Sequence, residues 1–160
     1  MQKINQSVYP SFSITRGRGN IYERIANIFT ESTALIYISC TVEEMSRMYE
    51  TGIPDRINSY RRAGGRVRLL MEPCDNDMVL LAKQLGADEI MVTNIPFKGR
   101  ILVQENMQAI ISTSMADPIH IDDANDSIIH TTYHDIASGI FNLCDHLWNA
   151  AKCDMKEITL

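Results

Sequence analysis

Four histidines are the side chains of this 160-residue sequence with the broadest chemical use, because imidazole titrates near neutral pH and binds metals. They are His120, His130, His134 and His146. His130 and His134 are four residues apart, which places two ligands on one face of a helix. No Glu follows His130, however, and a boundary between strand and helix is expected between the two. We therefore predict no metal and no cofactor, and a loop site of both histidines with Asp135 stays an alternative.

Arginines form two groups that can bind anions. Residues 15–20 (TRGRGN) precede a predicted helix, whose N-terminus attracts negative charge, although a solvated turn explains the same residues. The second group has four arginines within eight residues. They are Arg61, Arg62, Arg66 and Arg68. A nucleic-acid patch is one interpretation of this group, and structural or solvated roles around a helix end are the other.

The overall charge disfavours a protein whose main role is to grip nucleic acid. The chain has 15 basic and 20 acidic residues, a net charge of −5, whereas DNA binding needs a basic surface. The acidic excess lies in the second half, where residues 115–126 are predicted to form an acidic loop. Its carboxylates are Asp117, Asp122, Asp123 and Asp126. Their spacing does not match a calcium-binding EF-hand loop, so a solvated loop is the interpretation.

Length and composition predict one globular domain over residues 1–160. The sequence is 45% hydrophobic and 22% charged, which suits a packed core. No apolar run reaches the roughly 18 residues that a membrane span needs, and no secretory signal is visible. We therefore expect a cytoplasmic protein with no membrane partner. The four cysteines lack C-x-x-C spacing and are predicted to be free thiols.

Periodicity and turn residues predict alternating helices and strands after an irregular or extended lead-in over residues 1–18. Asn20 can cap the first helix, and Thr41-Val-Glu-Glu44 has the pattern of a capping box. The predicted helices of this half cover about 20–31, 42–51, 54–63 and 75–86, and the predicted strands cover 34–40, 67–71 and 89–93.

The second half changes to a hairpin pattern. Apolar runs at 100–104 and 108–112 surround a short turn, and a strand at 127–131 precedes a helix at 133–152. The predicted fold class is α/β, with a mixed, partly parallel β-sheet sandwiched between helices. Ligands in such sheets favour the carboxyl ends of the parallel strands. The candidates at that edge are Ser39, Cys40, Glu72 and Cys74.

Three sequence features together resemble the phospholipase D-like half-module, particularly the version fused to archaeal TrmB-type transcription regulators. They are the phrase RRAGGRVRLLMEP at 61–73, the paired apolar runs within 101–112, and Leu147-Trp148 near the end of the last helix. The resemblance covers residues from about 12 to 152. It implies a phospholipase D-like fold.

The catalytic motif of that family, H-x-K-x-x-x-x-D, is degraded in this sequence. The register of the resemblance places Lys98 at the His position, Arg100 at the Lys position and Glu105 at the Asp position. A protonated lysine has no lone pair with which to attack phosphorus, so the resemblance implies no catalytic residue. It implies instead a phosphate- or carboxylate-binding site made of Lys98, Arg100, Glu105, Ser112 and Ser114. Exposed loop charges at Lys98 and Arg100 are the alternative.

The resemblance implies a non-catalytic ligand-sensing and dimerisation domain in archaeal transcription regulation. The expected partners are a second copy of the chain, a small anionic or sugar-like polyhydroxylated ligand, and a DNA-binding domain or protein. One alternative is a residual phosphodiesterase or nuclease that recruits His130 or His134. The other is an interaction module without a ligand, which recruits a separate DNA-binding partner.

Overall fold

The structure, a computed structural model, describes residues 9–30, 32–113 and 126–158, and it contains the predicted elements together with one further strand. In chain order the elements are β1 (Phe12–Arg16), α1 (Arg18–Ile28), β2 (Leu35–Cys40), α2 (Val42–Glu50), α3 (Ile53–Arg62), β3 (Arg66–Met71), α4 (Asn76–Leu85), β4 (Glu89–Val92), β5 (Gly99–Gln104), β6 (Gln108–Thr113), β7 (Ser127–Thr131) and α5 (His134–Ile158).

In the described part of the chain, seven strands form one sheet in the order β1-β7-β6-β5-β2-β3-β4. Strands β2, β3 and β4 run parallel, and helices α2, α3 and α4 lie in the crossovers between them. The remaining neighbours are antiparallel, and β5 and β6 form the predicted hairpin. The prediction of an α/β fold with a mixed, partly parallel sheet is confirmed.

Helices cover the sheet on both faces, with α1 to α4 on one face and α5 on the other. Strand β2 shows how its sequence supports this arrangement. Ile36 and Ile38 pack among the residues of α1 to α4, whereas Tyr37 packs against α5. Successive side chains of a strand point to opposite faces, so a strand buried on both faces needs a continuous apolar run. Residues 34–40 supply that run.

Strand β1 corrects the prediction that residues 1–18 form an irregular or extended lead-in. Phe12–Arg16 pairs antiparallel with β7, and Ile14 lies opposite Ile129. Five residues with two apolar side chains give a weak periodic signal. The hydrogen bonds that make this segment a strand come from β7, which is distant in sequence and is not revealed by local pattern.

Helix α1 begins earlier than the predicted cap at Asn20. Gly17 is the N-cap, with φ of 84°, a backbone conformation that favours glycine. The side chain of Asn20 donates instead from Nδ2 to the Arg16 carbonyl oxygen at 3.1 Å. The glycine-arginine segment is therefore a tight turn from β1 into α1.

Gly99 begins β5 where this strand lies against β6. A Cβ at this position would collide with the carbonyl oxygen of Ser112 and would lie 2.7 Å from Phe97 Cε1. Only glycine permits this approach, which brings Arg100, the next residue, opposite Ser112.

We expect Gly99→Ala to destabilise the fold by about 1–3 kcal/mol, because backbone atoms of β6 must move to admit the methyl group. Gly139→Ala in α5 is the matched control, since no atom lies within 4 Å of its Cβ position. Alanine there should stabilise the helix by about 0.5–1 kcal/mol. Urea unfolding measures the free energy of unfolding of both variants. Equal changes in the two variants would contradict the close approach of Gly99 to the β6 backbone.

Candidate functional site

Arg100 is almost completely buried, with 1% of its surface exposed, and its guanidinium is bonded on all sides. Its Nε donates to Ser112 Oγ at 2.8 Å, and its Nη2 donates to Asp126 Oδ1 at 2.5 Å. Its Nη1 donates to Glu44 Oε1 at 3.3 Å. The arginine therefore lies between two carboxylates inside the protein.

Four different elements bring these groups together at one end of the sheet. Arg100 and Ser112 are register partners on β5 and β6, and Asp126 directly precedes β7. Glu44 lies in the first turn of α2, whose N-cap Thr41 accepts a hydrogen bond from the Glu44 backbone nitrogen at 3.3 Å. The capping box is thus only half used, because the Glu44 side chain turns into the protein.

Helix α1 completes this group. Tyr22 donates from its hydroxyl to Glu44 Oε1 at 3.1 Å, and Arg18 Nε lies 3.7 Å from Asp126 Oδ2. We call the six residues the Arg100 cluster: Arg18, Tyr22, Glu44, Arg100, Ser112 and Asp126. Each is less than 9% exposed.

The formal charges of the Arg100 cluster balance, with two arginines and two carboxylates. Burial raises the pKa of the Glu44 carboxyl, and the Arg100 guanidinium opposes that rise. Burial also raises the pKa of the Tyr22 phenol, so the hydroxyl stays a hydrogen-bond donor. Among the described residues, Glu44 Oε2 and Asp126 Oδ2 have no hydrogen-bond partner.

The predicted ligand-binding residues are only partly brought together. Arg100 and Ser112 are in contact, but Lys98 forms an exposed ion pair with Glu72. Glu105 follows the last residue of β5, at the opposite end of that strand from Arg100. Ser114 lies outside the described residues. A ligand-binding role for these residues stays a prediction.

Among the strand-edge candidates, Cys40 ends β2 close to the Arg100 cluster, where burial and Glu44 raise the pKa of its thiol and Arg100 opposes the rise. Ser39 and Cys40 are buried in the sheet. The histidines do not converge on the cluster. His130 Nε2 lies 2.9 Å from Gln108 Oε1, and burial lowers the pKa of this histidine, with Arg24 adding to the effect. His134 is at the start of α5. Within the described ranges, no three His, Cys, Asp or Glu side chains are placed to hold a metal ion.

Three arginines at the end of α3 and in β3 pair within the chain, in agreement with a structural role. Arg61 Nε lies 2.8 Å from Asp88 Oδ1, and Arg66 and Arg68 both pair with Glu89. Arg68 also lies over the ring of Trp148, at 4.8 Å from its centroid. The acidic loop, apart from Asp126, lies outside the described residues.

A cleft on the helical face was not predicted from the sequence. It has a volume of about 760 Å³ and lies between α1, α2 and the start of α3. Its lining is Arg18, Gly19, Tyr22, Glu23, Ala26, Asn27, Arg47, Glu50, Thr51, Gly52 and Arg56. Arg18 and Tyr22 therefore belong both to this lining and to the Arg100 cluster.

The sequence analysis did not predict that Glu44 and Tyr22 belong to a buried cluster, and the only signal for Glu44 was its place in the capping box.

Comparisons with known proteins give fold relatives only. The sequence matches no protein-family model and no curated protein. Among solved structures, the archaeal chromatin protein TrmBL2 superposes with a TM-score of 0.61 at 10% identity. The match covers 91% of this chain and 54% of that protein, so this chain spans about half its length.

Two phospholipase D-type structures match over nearly their whole length. Nuc from Salmonella typhimurium, a phospholipase D family member, has a TM-score of 0.62 at 9% identity, with 88% of this chain and 95% of Nuc covered. NucT from Helicobacter pylori has a TM-score of 0.61 at 7% identity, with coverage of 88% and 97%. At such identities the likeness establishes architecture, and this chain has the phospholipase D-like fold.

Proposed function

We propose that this chain is a non-catalytic phospholipase D-like module that senses a small anionic or polyhydroxylated ligand and acts as a homodimer in transcription regulation. The observation that carries the non-catalytic part is the burial of Arg100 between Glu44 and Asp126. In the register of the family motif, Arg100 occupies the position of the lysine that steadies the phosphoryl group. Its charge is already neutralised, so it is a poor partner for a phosphodiester.

The nucleophile position supports the same proposal. Lys98 replaces the motif histidine, and its ammonium group pairs with Glu72. A residual phosphodiesterase would need His130 or His134 at the Arg100 cluster. His130 is the fourth residue of β7, whereas Asp126 precedes that strand, so about 13 Å of extended chain separates the two. The enzyme alternative is therefore not favoured by the geometry.

The regulatory part of the proposal rests on likeness to TrmBL2, which is described as an archaeal chromatin protein with a novel mode of DNA binding. This chain has a net charge of −5, and three of its clustered arginines are paired internally. We therefore assign DNA contact to a partner domain or protein rather than to this module. No helix in the described part of the chain has the length and apolar character of a membrane span.

Apolar side chains on β1 and β7 support the proposed homodimer. Phe12 and Ile14 are 56% and 60% exposed, and Ile129 is 38% exposed. Ile14 and Ile129 are register partners, so they lie side by side on one face of the sheet. Strand β1 is at the edge of the described sheet, and such an edge pairs readily with a copy of itself about a two-fold axis.

Arg100→Met should destabilise the fold by about 3–5 kcal/mol, because Glu44 would stay buried without a compensating charge and Asp126 would keep only Arg18. The double variant Arg100→Met, Glu44→Gln should recover much of this loss, since the charges that stay buried, Arg18 and Asp126, pair with each other. Lys98→Met is the control and should change stability by about 1 kcal/mol or less, because its ion pair is exposed. Urea unfolding measures all three. An Arg100→Met effect no larger than the control would contradict a structural role for the cluster.

A thermal-shift screen of sugars, phosphates and nucleotides tests ligand sensing. At least one compound should raise the melting temperature, because a ligand that binds only the folded state stabilises it. In parallel, the protein should not hydrolyse bis(4-nitrophenyl) phosphate. Hydrolysis that is lost in His130→Ala or His134→Ala would contradict the non-catalytic proposal and support the phosphodiesterase alternative. A screen in which no compound raises the melting temperature would contradict ligand sensing and support the interaction module without a ligand.

Ile14→Lys should convert the proposed dimer to a monomer in sedimentation velocity, because it places a charge in the apolar contact. Leu80→Lys is the matched control, since Leu80 is 55% exposed but lies on α4, in the helical layer on the other face of the sheet. It should leave the dimer intact. A wild-type chain that sediments as a monomer at high concentration would rule out the homodimer.

A further inference from the structure

The cleft between α1, α2 and α3 has the dimensions of a small-molecule site. Its volume of about 760 Å³ is within the range of about 300–1,000 Å³ for ligand pockets. It lies on the helical face rather than at the predicted residues Lys98 and Arg100, neither of which lines it. Its lining combines charged, amide and hydroxyl groups with the ring of Tyr22 and the methyl group of Ala26.

Two arginines lie where α2 ends and α3 begins, together with the acidic side chains of Glu50 and Asp55. Arg47 is in the last turn of α2 and lies 3.8 Å from Glu50, a long and partly exposed ion pair. Arg56 is in the first turn of α3, and no described residue makes an ion pair or hydrogen bond with its side chain. Guanidinium groups bind phosphate and carboxylate in a bidentate manner, so these two arginines form an anion-binding wall.

The start of α3 adds to this wall. Gly52 is the N-cap of this ten-residue helix and provides no side-chain cap, so the backbone N–H groups of Ile53 and Asp55 are not satisfied by a capping side chain, and Pro54 between them has no N–H. No atom lies within 4 Å of the position that a Cβ of Gly52 would occupy, which leaves open space beside the backbone. Asp55 is also in the first turn, but it does not line the cleft.

The opposite wall, on α1, suits an uncharged polar body rather than a second anion. Glu23 and Asn27 line it and offer a carboxylate and an amide. Glu50 and Thr51 add further acceptors near the arginines. A molecule with one anionic group and several hydroxyl or amide hydrogens satisfies both walls, because carboxylates accept from hydroxyl groups and repel a second negative charge.

We infer that the cleft between α1, α2 and α3 binds a phosphate monoester with a polar body, its phosphate group on Arg47 and Arg56. This inference rests on the proposed function, because it identifies where a ligand-sensing module holds its ligand. Arg18 and Tyr22 line the cleft and also belong to the Arg100 cluster. A bound molecule therefore contacts the side chains that join α1 to Glu44 and Asp126, which connects ligand binding to the sheet.

An NMR titration at constant ionic strength tests the inference with inorganic phosphate and glycerol 3-phosphate as probes and chloride as the reference. Saturable amide shifts should appear within residues 51–56, where every residue except Pro54 has an amide proton, and the monoester should bind more tightly than inorganic phosphate because it also reaches the α1 wall. Arg56→Gln and Arg47→Gln should each weaken binding about tenfold, the value of one charge-assisted hydrogen bond. Arg62→Gln is the matched control, an exposed arginine of the same helix outside the cleft.

The outcomes separate this inference from the proposed function. Shifts centred on Lys98 that vanish in Lys98→Gln would overturn the cleft assignment and keep ligand sensing. Saturable binding at residues 51–56 that Arg56→Gln and Arg62→Gln weaken equally would overturn the role of the arginine wall. Shifts that never saturate with either probe would overturn the cleft site, and the sensing proposal would then depend on the wider ligand screen alone.

Discussion

A buried arginine held between two carboxylates is the interaction on which the rest of this fold depends. Arg100 is enclosed where β5 begins, with 1% of its surface exposed. Burial of the guanidinium charge without a carboxylate partner would cost several kcal/mol, and two carboxylates compensate this charge. Glu44 comes from α2 and Asp126 from the start of β7. Their convergence ties the helical layer to both halves of the sheet.

The same interaction bears on the proposal that this chain is non-catalytic. In the family register, Arg100 would face substrate, yet here its donors are taken by Ser112, Glu44 and Asp126. The strand ends are thereby closed by internal pairing. Of the arginines that line the cleft, Arg18 belongs to the Arg100 cluster, whereas Arg47 and Arg56 lie on α2 and α3. This chain therefore has a phospholipase D-like fold in which the charged groups of the Arg100 cluster are buried, and the ligand site that we propose lies on the helical face.

Local pattern predicted most of the architecture, and it failed where long-range contacts decide. The apolar run at 34–40 and the hairpin at 100–112 carry their own periodicity, so their assignments are confirmed. Strand β1 was not predicted as a strand, because its hydrogen bonds come from β7. Arg66 and Arg68 are two residues apart in β3 and therefore share a face of the strand, but Glu89 as their shared partner follows from the parallel pairing of β3 with β4.

By itself, the sequence determined the α/β order, the absence of the motif histidine and the acidic balance, because residue identity and short-range periodicity are local properties. Only the tertiary structure decided what each charge does. Glu44 has the position of a capping-box residue, yet its side chain bonds to Tyr22 and Arg100. Lys98 and Arg100 are two residues apart, yet one is exposed and the other enclosed. Burial and ion pairing depend on which strands and helices meet, and that information is not present in any single segment.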